Sequence, residues 1–332
     1  MHQSEVARLA GLVGSFLLVV PVARTAWALL LASAFLLEFL SGGAARPLAA
    51  LTGEPVRETL GAAGVAADRY RPLGRRAAPP LVLVHGVTSD GKDDPRLAAA
   101  AGLFARLGFD VAVPTIPGLT RARLRPDDVA PVVATLAARE GPTVVVAVSL
   151  GAGPALLAAA DPRVRDRVRT VVTLGGYASG RELLRFYLTG HYAWQGIEGR
   201  ITHDPGLVDA FVAANRDLVD EPARRLLRTP LEARAAAFEG LISPELGRLL
   251  DALSPERVAR DISARLVLIH GRADPAVPYT ESLRLAASRP ETTTLVLVGS
   301  VEHVESGRGR GWWWEPVDLF RLLAITYALA AP

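Results

Sequence analysis

Residues 144–151 read Val-Val-Val-Ala-Val-Ser-Leu-Gly, a buried strand followed at once by the start of a helix in the predicted structure. The apolar, β-branched run at 143–148 predicts a buried strand, and the alanine- and leucine-rich run at 150–160 predicts a helix. Ser149 therefore lies on a sharp corner between a strand and a helix. Because the first N–H groups of a helix have no partner within it, the corner also directs hydrogen-bond donors toward an anion formed beside Ser149.

The residues around Ser149 suit such a corner. Ala147 and Gly151, two positions on either side, are small enough for the backbone to turn tightly. The usual pattern for a nucleophile at this position is Gly-x-Ser-x-Gly, so Ala147 departs from it. A serine that only caps an ordinary helix is the alternative interpretation.

Two later stretches supply the partners that a nucleophilic serine needs. Asp274 follows the apolar run at 265–270, and His303 follows the apolar run at 293–298. Because the carboxyl ends of parallel strands meet at one edge of a sheet, we expect Ser149, Asp274 and His303 to converge there. A hydroxyl nucleophile, an imidazole base and a carboxylate that orients the imidazole make up a catalytic triad.

A fourth stretch predicts where the oxyanion would be bound. Residues 81–87 form an apolar strand that runs into His85-Gly86. We expect the backbone N–H groups of Val87 and Leu150 to be the two donors, with Gly86 allowing the backbone to approach. His85 is predicted to support this loop rather than to act as the base.

An acidic stretch at 90–94 raises the alternative of a metal site. The simpler interpretation is that Asp93 or Asp94 caps the helix that opens at Pro95. No histidine joins these carboxylates at ligand spacing, so no metal site is predicted.

These stretches together resemble the α/β-hydrolases, and in particular the dienelactone-hydrolase and prolyl-oligopeptidase-like serine esterases. The motifs that carry the resemblance lie at 84–86, 147–151, 270–278 and 302–303, and it covers about residues 55–330. It implies an α/β fold with a mostly parallel eight-stranded sheet and helices on both faces. It also implies hydrolysis through an acyl-enzyme, without a cofactor. Ser149 departs from the cysteine nucleophile of true dienelactone hydrolases.

The predicted organisation has three parts. Residues 1–52 form a hydrophobic membrane anchor or helix, 53–177 together with 262–332 form the α/β core, and 178–261 form a helical cap inserted into it. No strand is predicted within the cap. Its aromatic residues are candidates for the substrate pocket, with packing of the cap on the sheet as the alternative; they are Phe186, Tyr187, Tyr192 and Trp194.

The N-terminal segment is strongly apolar. The runs 9–23 and 25–40 are interrupted only by Pro21, Arg24 and Glu38. We expect membrane attachment, with a cleaved signal peptide or burial against the core as alternatives. Arginines on both sides leave the orientation in the membrane open.

Composition limits the function classes. The chain has 332 residues, 50% of them hydrophobic, which is enough for one large domain plus an insertion. It has no cysteine, so disulfides and thiolate metal sites are excluded. The net charge is only +3 and the arginines are scattered, so no nucleic-acid partner is predicted. Oligomeric state is left open.

The predicted function is cleavage of a small carboxylic ester, short-chain or lipid-like, or of an amide. A serine peptidase or an acyltransferase would use the same residues. From another class, a membrane-anchored binding module without catalysis is the alternative, which the intact set of Ser149, Asp274 and His303 disfavours.

Overall fold

The computed structural model describes residues 2–62, 64–74, 78–203, 205–215, 237–299, 301–302, 305–306 and 316–330, and of residues 2–19 it describes the backbone. The strands are β1 (Val56–Ala62), β2 (Val65–Arg71), β3 (Pro80–Val84), β4 (Asp110–Pro114), β5 (Thr143–Val148), β6 (Val168–Leu174), β7 (His191–Trp194), β8 (Ile197–Arg200), β9 (Arg265–Gly271), β10 (Thr293–Val298), β11 (Val301–Glu302) and β12 (Glu305–Ser306). The helices are α1 (His2–Leu40), α2 (Pro47–Leu51), α3 (Pro95–Leu107), α4 (Val129–Ala137), α5 (Ala152–Ala160), α6 (Gly180–Thr189), α7 (Pro205–Ala214), α8 (Pro244–Ala252), α9 (Thr280–Ser288) and α10 (Pro316–Ala330).

Eight strands form one sheet in the order β1-β2-β4-β3-β5-β6-β9-β10. The six strands from β4 to β10 are parallel to one another. β2 runs antiparallel to β4, and β1 runs antiparallel to β2. The prediction of a mostly parallel eight-stranded sheet is confirmed.

Both faces of the sheet are covered by helices, which follows from the continuous apolar strands. Along β5, Val145 and Ala147 enter one core with α4 and α5, whereas Val144 and Val146 enter a second core with α1 and α3. This alternation is the two-residue period of a strand. The central strands β3 and β5 are therefore buried on both sides, and polar side chains can reach solvent only near the strand ends.

The insertion between β6 and β9 contains α6, α7 and α8, as expected for a helical cap. It also contains an antiparallel hairpin formed by β7 and β8, so the prediction that the cap has no strand is wrong. The two strands are joined by Gln195-Gly196, which have φ values of 45° and 82°. Two consecutive residues with positive φ are what a tight hairpin turn requires.

The second half of α1 belongs to the packed structure. Ala28, Leu31 and Phe35 are buried, and the Phe35 ring lies 5.1 Å from that of Phe104 in α3. Glu38, which interrupts the apolar pattern, is buried and accepts the N–H groups of Leu48 and Ala49 at 3.0 and 3.1 Å. A carboxylate there stabilises the beginning of α2.

Val20–Leu40 is also long and apolar enough to cross a membrane, by length and composition alone. A signal sequence near the N-terminus and a core helix of a soluble protein meet the same criterion. Because the second half of α1 packs on the domain, that half can enter a bilayer only if its contacts with the domain are broken.

Substitution of Phe35 tests the packing of α1. Phe35 is 6% exposed, and Phe35→Ala is expected to lower the free energy of unfolding by about 3 kcal/mol, through lost contacts and the cavity left behind. Leu37→Ala on the same helix is the matched control, since Leu37 is 52% exposed and its loss is expected to change stability by under about 1 kcal/mol. Urea unfolding of both variants measures the difference, and equal effects would contradict the packing described.

Candidate active site

The corner after β5 has a strained backbone. Ser149 has φ of 53°, and within the described ranges only two other non-glycine residues, Ala122 and Gln195, have positive φ. A left-handed conformation costs a side-chain-bearing residue on the order of 1–2 kcal/mol. Residues 149–151 form a single 3₁₀ turn that leads directly into α5. Ser149 is therefore held at the strand end by its surroundings, and its exposure is 9%.

Two glycines bring neighbouring backbone against this corner. A Cβ built on Gly151 would overlap the carbonyl oxygen of His85, so the first turn after Ser149 packs directly on the chain leaving β3. A Cβ on Gly86 would lie 3.0 Å from Cβ and 3.6 Å from Oγ of Ser149. The loop after β3, which carries Val87, therefore passes beside the serine hydroxyl.

The remaining residues predicted around the corner lie in the same place. Ala147 is fully buried in β5, and Leu150 is buried in the turn after Ser149. Val87, on the other side, is exposed. The two loops that carry the predicted N–H donors, Val87 and Leu150, thus flank Ser149.

Both ring nitrogens of His85 make structural hydrogen bonds. The Ile116 N–H donates to Nε2 at 2.9 Å, so Nδ1 carries the proton and donates to the Gly86 carbonyl at 2.6 Å. Burial lowers the pKa of His85, which favours this neutral form. His85 thereby ties the loop after β3 to the loop after β4 and has no nitrogen left to serve as a base.

Asp274 lies at the same edge of the sheet as Ser149. The register pairs Ala147 of β5 with Thr173 of β6, and Thr173 with Leu268 of β9. Ser149 thus stands level with the end of β9, just before the loop that carries Asp274. Asp274 is 2% exposed, and its Oδ1 accepts the N–H groups of Ala276 and Val277 at 2.8 and 3.0 Å.

His270 supports the Asp274 loop, a role that sequence reasoning missed. Its Nε2 donates to the Val277 carbonyl at 2.9 Å and lies 3.5 Å from Oδ2 of Asp274. Its Nδ1 is 2.7 Å from the Ser282 hydroxyl in α9. The His-Gly-x-x-Asp spacing was visible in the sequence, but the partners of the imidazole come from the loop and helix that follow.

His303 lies outside the described residues, and so its meeting with Ser149 and Asp274 stays a prediction. The chain before it is well held, because the Gly299 N–H donates to Oδ2 of the buried Asp318 at 2.8 Å. Asp318 is in the first turn of α10. β10, the last strand of the eight-stranded sheet, pairs with β9 up to Val298 and Gly271, which brings this chain to the same edge.

The four cap residues predicted to line a pocket are in different environments. Phe186 is fully buried, with its ring 4.5 Å from that of His203, and packs within the cap. Tyr187 stacks on Phe211 at 4.7 Å, and burial together with the negative charge of Asp274 raises the pKa of its hydroxyl.

Tyr192 and Trp194 are in the β7–β8 hairpin. The Tyr192 ring lies 6.1 Å from that of Tyr279, which follows the Asp274 loop. Trp194 is covered by the Arg284 guanidinium, 4.3 Å from the ring centre. It lines a surface groove to which neither Ser149 nor Asp274 contributes.

A buried carboxyl joins the Asp274 side of the core to the cap. Oε2 of Glu281, in α9, accepts the N–H groups of Ala178 and Ser179 at 3.0 and 2.8 Å, where the cap begins. Arg284 lies 3.5 Å from Oε1. Burial, opposed by the two N–H groups and Arg284, raises the pKa of Glu281 to about 7.

The acidic stretch before α3 is occupied by structural contacts. Oδ1 of Asp94 accepts the N–H groups of Arg96 and Leu97, so Asp94 is the cap of α3. Asp93 pairs with Lys92 and Arg57. Within the described parts of the chain, no three acidic or histidine side chains are grouped in a way that would hold a metal ion.

Comparison with known proteins identifies the fold. No protein-family model and no curated protein sequence matches the chain. Solved structures do match. One is an acylaminoacyl peptidase in complex with Z-Gly-Gly-Phe-chloromethyl ketone, with 16% identity, a TM-score of 0.54, and coverage of 84% of this chain and 41% of that one. Another is 2,6-dihydroxy-pseudo-oxynicotine hydrolase, with 20% identity, a TM-score of 0.53, and coverage of 94% and 83%.

The chain has the α/β-hydrolase fold. The uncomplexed Pyrococcus horikoshii acylaminoacyl peptidase matches as well, with 15% identity, a TM-score of 0.50, and coverage of 78% of this chain and 39% of that one. The chain spans about two fifths of the length of the acylaminoacyl peptidases that it matches. The predicted resemblance is confirmed for the α/β-hydrolase fold.

The contact between Gly151 and His85 generates one prediction. Gly151→Ala forces a methyl group into a backbone carbonyl, so the turn at Ser149 must shift, and we expect a loss of stability of about 3 kcal/mol or more. Gly102→Ala is the matched control, because nothing lies within 4 Å of its Cβ position in α3 and alanine favours a helix. Urea unfolding measures the stability of both variants. A Gly151→Ala variant that loses no more stability than Gly102→Ala would contradict the described packing.

The raised pKa of Glu281 predicts a pH dependence. Between pH 4.5, the ordinary value, and about 7, the folded chain keeps a proton that the unfolded chain releases. The stabilisation is therefore complete below pH 4.5 and is lost as the pH rises to about 7, by roughly 3 kcal/mol in total. Glu281→Gln, which keeps an oxygen acceptor without the charge, is expected to flatten this slope. Unfolding free energies at pH 5 and 7.5 test it, and equal slopes in the two proteins would contradict it.

Proposed function

We propose that the protein is a serine hydrolase that cleaves carboxylic esters through an acyl-enzyme. The observation that carries the proposal is the backbone of Ser149, which is left-handed at the end of a central buried strand and is packed on the β3 loop through Gly151. A strained serine at this place in the α/β-hydrolase fold exposes its hydroxyl at the edge of the sheet. Asp274, fixed by two N–H groups, stands at that same edge.

Each residue has a role in the proposed reaction. His303 removes the proton from Ser149 as Oγ attacks the carbonyl carbon, and Asp274 stabilises the imidazolium that forms. The tetrahedral oxyanion accepts the N–H groups of Val87 and Leu150. His303 then protonates the departing alcohol, and water releases the acyl group by the same route.

The surroundings of the site support an ester of modest size with an apolar acyl group. On the cap side, the buried Tyr187 ring stacks on Phe211 at 4.7 Å, and the charge of Asp274 contributes to the raised pKa of the Tyr187 hydroxyl. An apolar wall favours an acyl chain over a charged peptide terminus. Peptide cleavage is the second candidate, favoured by the match to an acylaminoacyl peptidase that holds a peptide chloromethyl ketone.

Attachment to a membrane through α1 is part of the proposal. Its support is the length and apolar composition of Val20–Leu40 and the apolar sequence that precedes it in the same helix. A hydrolase held at a membrane would meet lipid-like esters at high local concentration.

Turnover of a substrate panel tests the triad. We expect Ser149→Ala and His303→Ala each to lower kcat by about 10⁴-fold or more on p-nitrophenyl esters, and Asp274→Asn to lower it by a similar or somewhat smaller factor. Ser89→Ala, an exposed serine in the loop after β3, is the matched control and should retain activity. The panel runs from p-nitrophenyl acetate to laurate and includes aminoacyl p-nitroanilides, which should be poorer substrates. Undiminished esterase activity in Ser149→Ala would overturn the assignment.

A further inference from the structure

Exposed apolar side chains are concentrated on two helices. Among the described residues, twelve large hydrophobic side chains are exposed, and seven of these belong to α1 and α10. Those on α1 and α10 are Val22, Trp27, Leu29, Leu30, Leu37, Val317 and Phe320. Phe320 is the most exposed of the twelve, at 72%. Such a concentration marks an interaction surface rather than scattered surface residues.

The two helices form one continuous surface. α1 and α10 pack against each other, and their inner residues, such as Phe35 and Ile325, join the core beneath the sheet. The outward residues of both helices therefore lie side by side on the outside of the molecule. We name this surface, defined by the seven residues above, the α1–α10 face.

The charges on the two helices are sorted by sign. From residue 20 onward α1 carries Arg24 and Glu38, and α10 carries Asp318 and Arg321. Both acids are buried and hydrogen-bonded inside the protein. Both arginines are exposed. Among the described side chains of the two helices, the exposed charges are therefore both arginines, and Arg321 also lies 3.7 Å from Oδ1 of Asp318.

Exposed apolar side chains together with exposed arginines favour one kind of partner for the face. A second copy of the chain would bring the arginines of both copies onto one apolar interface, where like charges repel. An anionic lipid surface instead supplies hydrocarbon for the apolar side chains and negative headgroups for Arg24 and Arg321. Trp27 lies one helical turn from Arg24, an arrangement typical of the interface between headgroups and acyl chains.

The continuity of α1 also favours a lipid surface as the partner. The helix runs unbroken from His2 to Leu40, and residues 9–20 contain no charged side chain. Within residues 20–40, the inner side of the helix is covered by the domain from Ala28 onward. Since Phe35 and Glu38 are held by the protein, residues 20–40 are not able to cross a bilayer while the fold stays intact.

We propose that the α1–α10 face docks on an anionic lipid bilayer, with α1 lying along the membrane surface rather than crossing it through residues 20–40. This inference rests on the membrane attachment under the proposed function and specifies its geometry. It also places the bilayer next to α10, whose Asp318 holds the chain that leads to His303.

Single-cysteine labelling tests the docking, because the natural chain has no cysteine. The full chain carries one of four substitutions, each labelled with an environment-sensitive fluorophore. Ser15→Cys reports on the first half of α1, Ser33→Cys on its packed half and Ala324→Cys on α10, the last two at exposed positions. Ala138→Cys, exposed at the end of α4 on the opposite side of the sheet, is the control.

With vesicles of phosphatidylcholine and phosphatidylglycerol, we expect several-fold emission increases and protection from aqueous iodide at positions 15, 33 and 324, and no change at 138. Lipid signals at 15 alone would overturn the docked geometry but leave membrane attachment standing. Emission and iodide quenching that stay unchanged by vesicles at all four positions would overturn both the docked geometry and membrane attachment. Protection at 33 and 324 without vesicles, rising with protein concentration, would show a second copy on the face and overturn the proposal. Ester hydrolysis measured on the same samples reports on the triad separately.

Arg24→Gln tests the contribution of charge. Affinity for phosphatidylglycerol-containing vesicles is expected to fall about fivefold, and affinity for pure phosphatidylcholine vesicles to stay unchanged, since one cationic side chain contributes only at an anionic surface. Equal losses on both kinds of vesicle would contradict an electrostatic role.

Discussion

The structure depends on one unfavourable backbone conformation. Ser149 adopts a left-handed φ that a residue with a side chain avoids, and it does so between the central strand β5 and the helix α5. The cost is offset by close packing, since Gly151 rests on the His85 carbonyl and Gly86 lies against Ser149 itself. The strain and the proposed reactivity have the same origin, because the conformation that is costly is the one that presents the hydroxyl at the sheet edge.

The rest of the site is held by buried hydrogen bonds between the loops and helices that surround it. His85 joins the loops after β3 and β4, His270 joins the Asp274 loop to α9, and Glu281 joins α9 to the start of the cap. All three are buried, so each contact is protected from water and contributes to a rigid framework. Glu281 and the contact of Tyr192 with Tyr279 both hold the cap. Because Tyr279 follows the Asp274 loop, these contacts couple the cap to the position of the Asp274 carboxylate.

Local sequence predicted the sheet, the corner at Ser149 and the place of Asp274, because these follow from strand periodicity and from turns that begin where strands end. It missed the β7–β8 hairpin, whose Gln195-Gly196 turn is short and lacks the usual asparagine or aspartate. It also missed Glu281, since its partners are about a hundred residues away and no local pattern records them. The sequence showed α1 as apolar, but not that Phe35 packs on Phe104.

Covalent labelling with a fluorophosphonate tests whether Ser149 is a nucleophile, because the reagent reacts with a serine only where a base and an oxyanion hole activate it. We expect one adduct per chain, mapped by mass spectrometry to the peptide containing Ser149, and slowed by Asp274→Asn. An unlabelled protein, or an adduct on any other serine, would show that the strained turn after β5 is not a nucleophile.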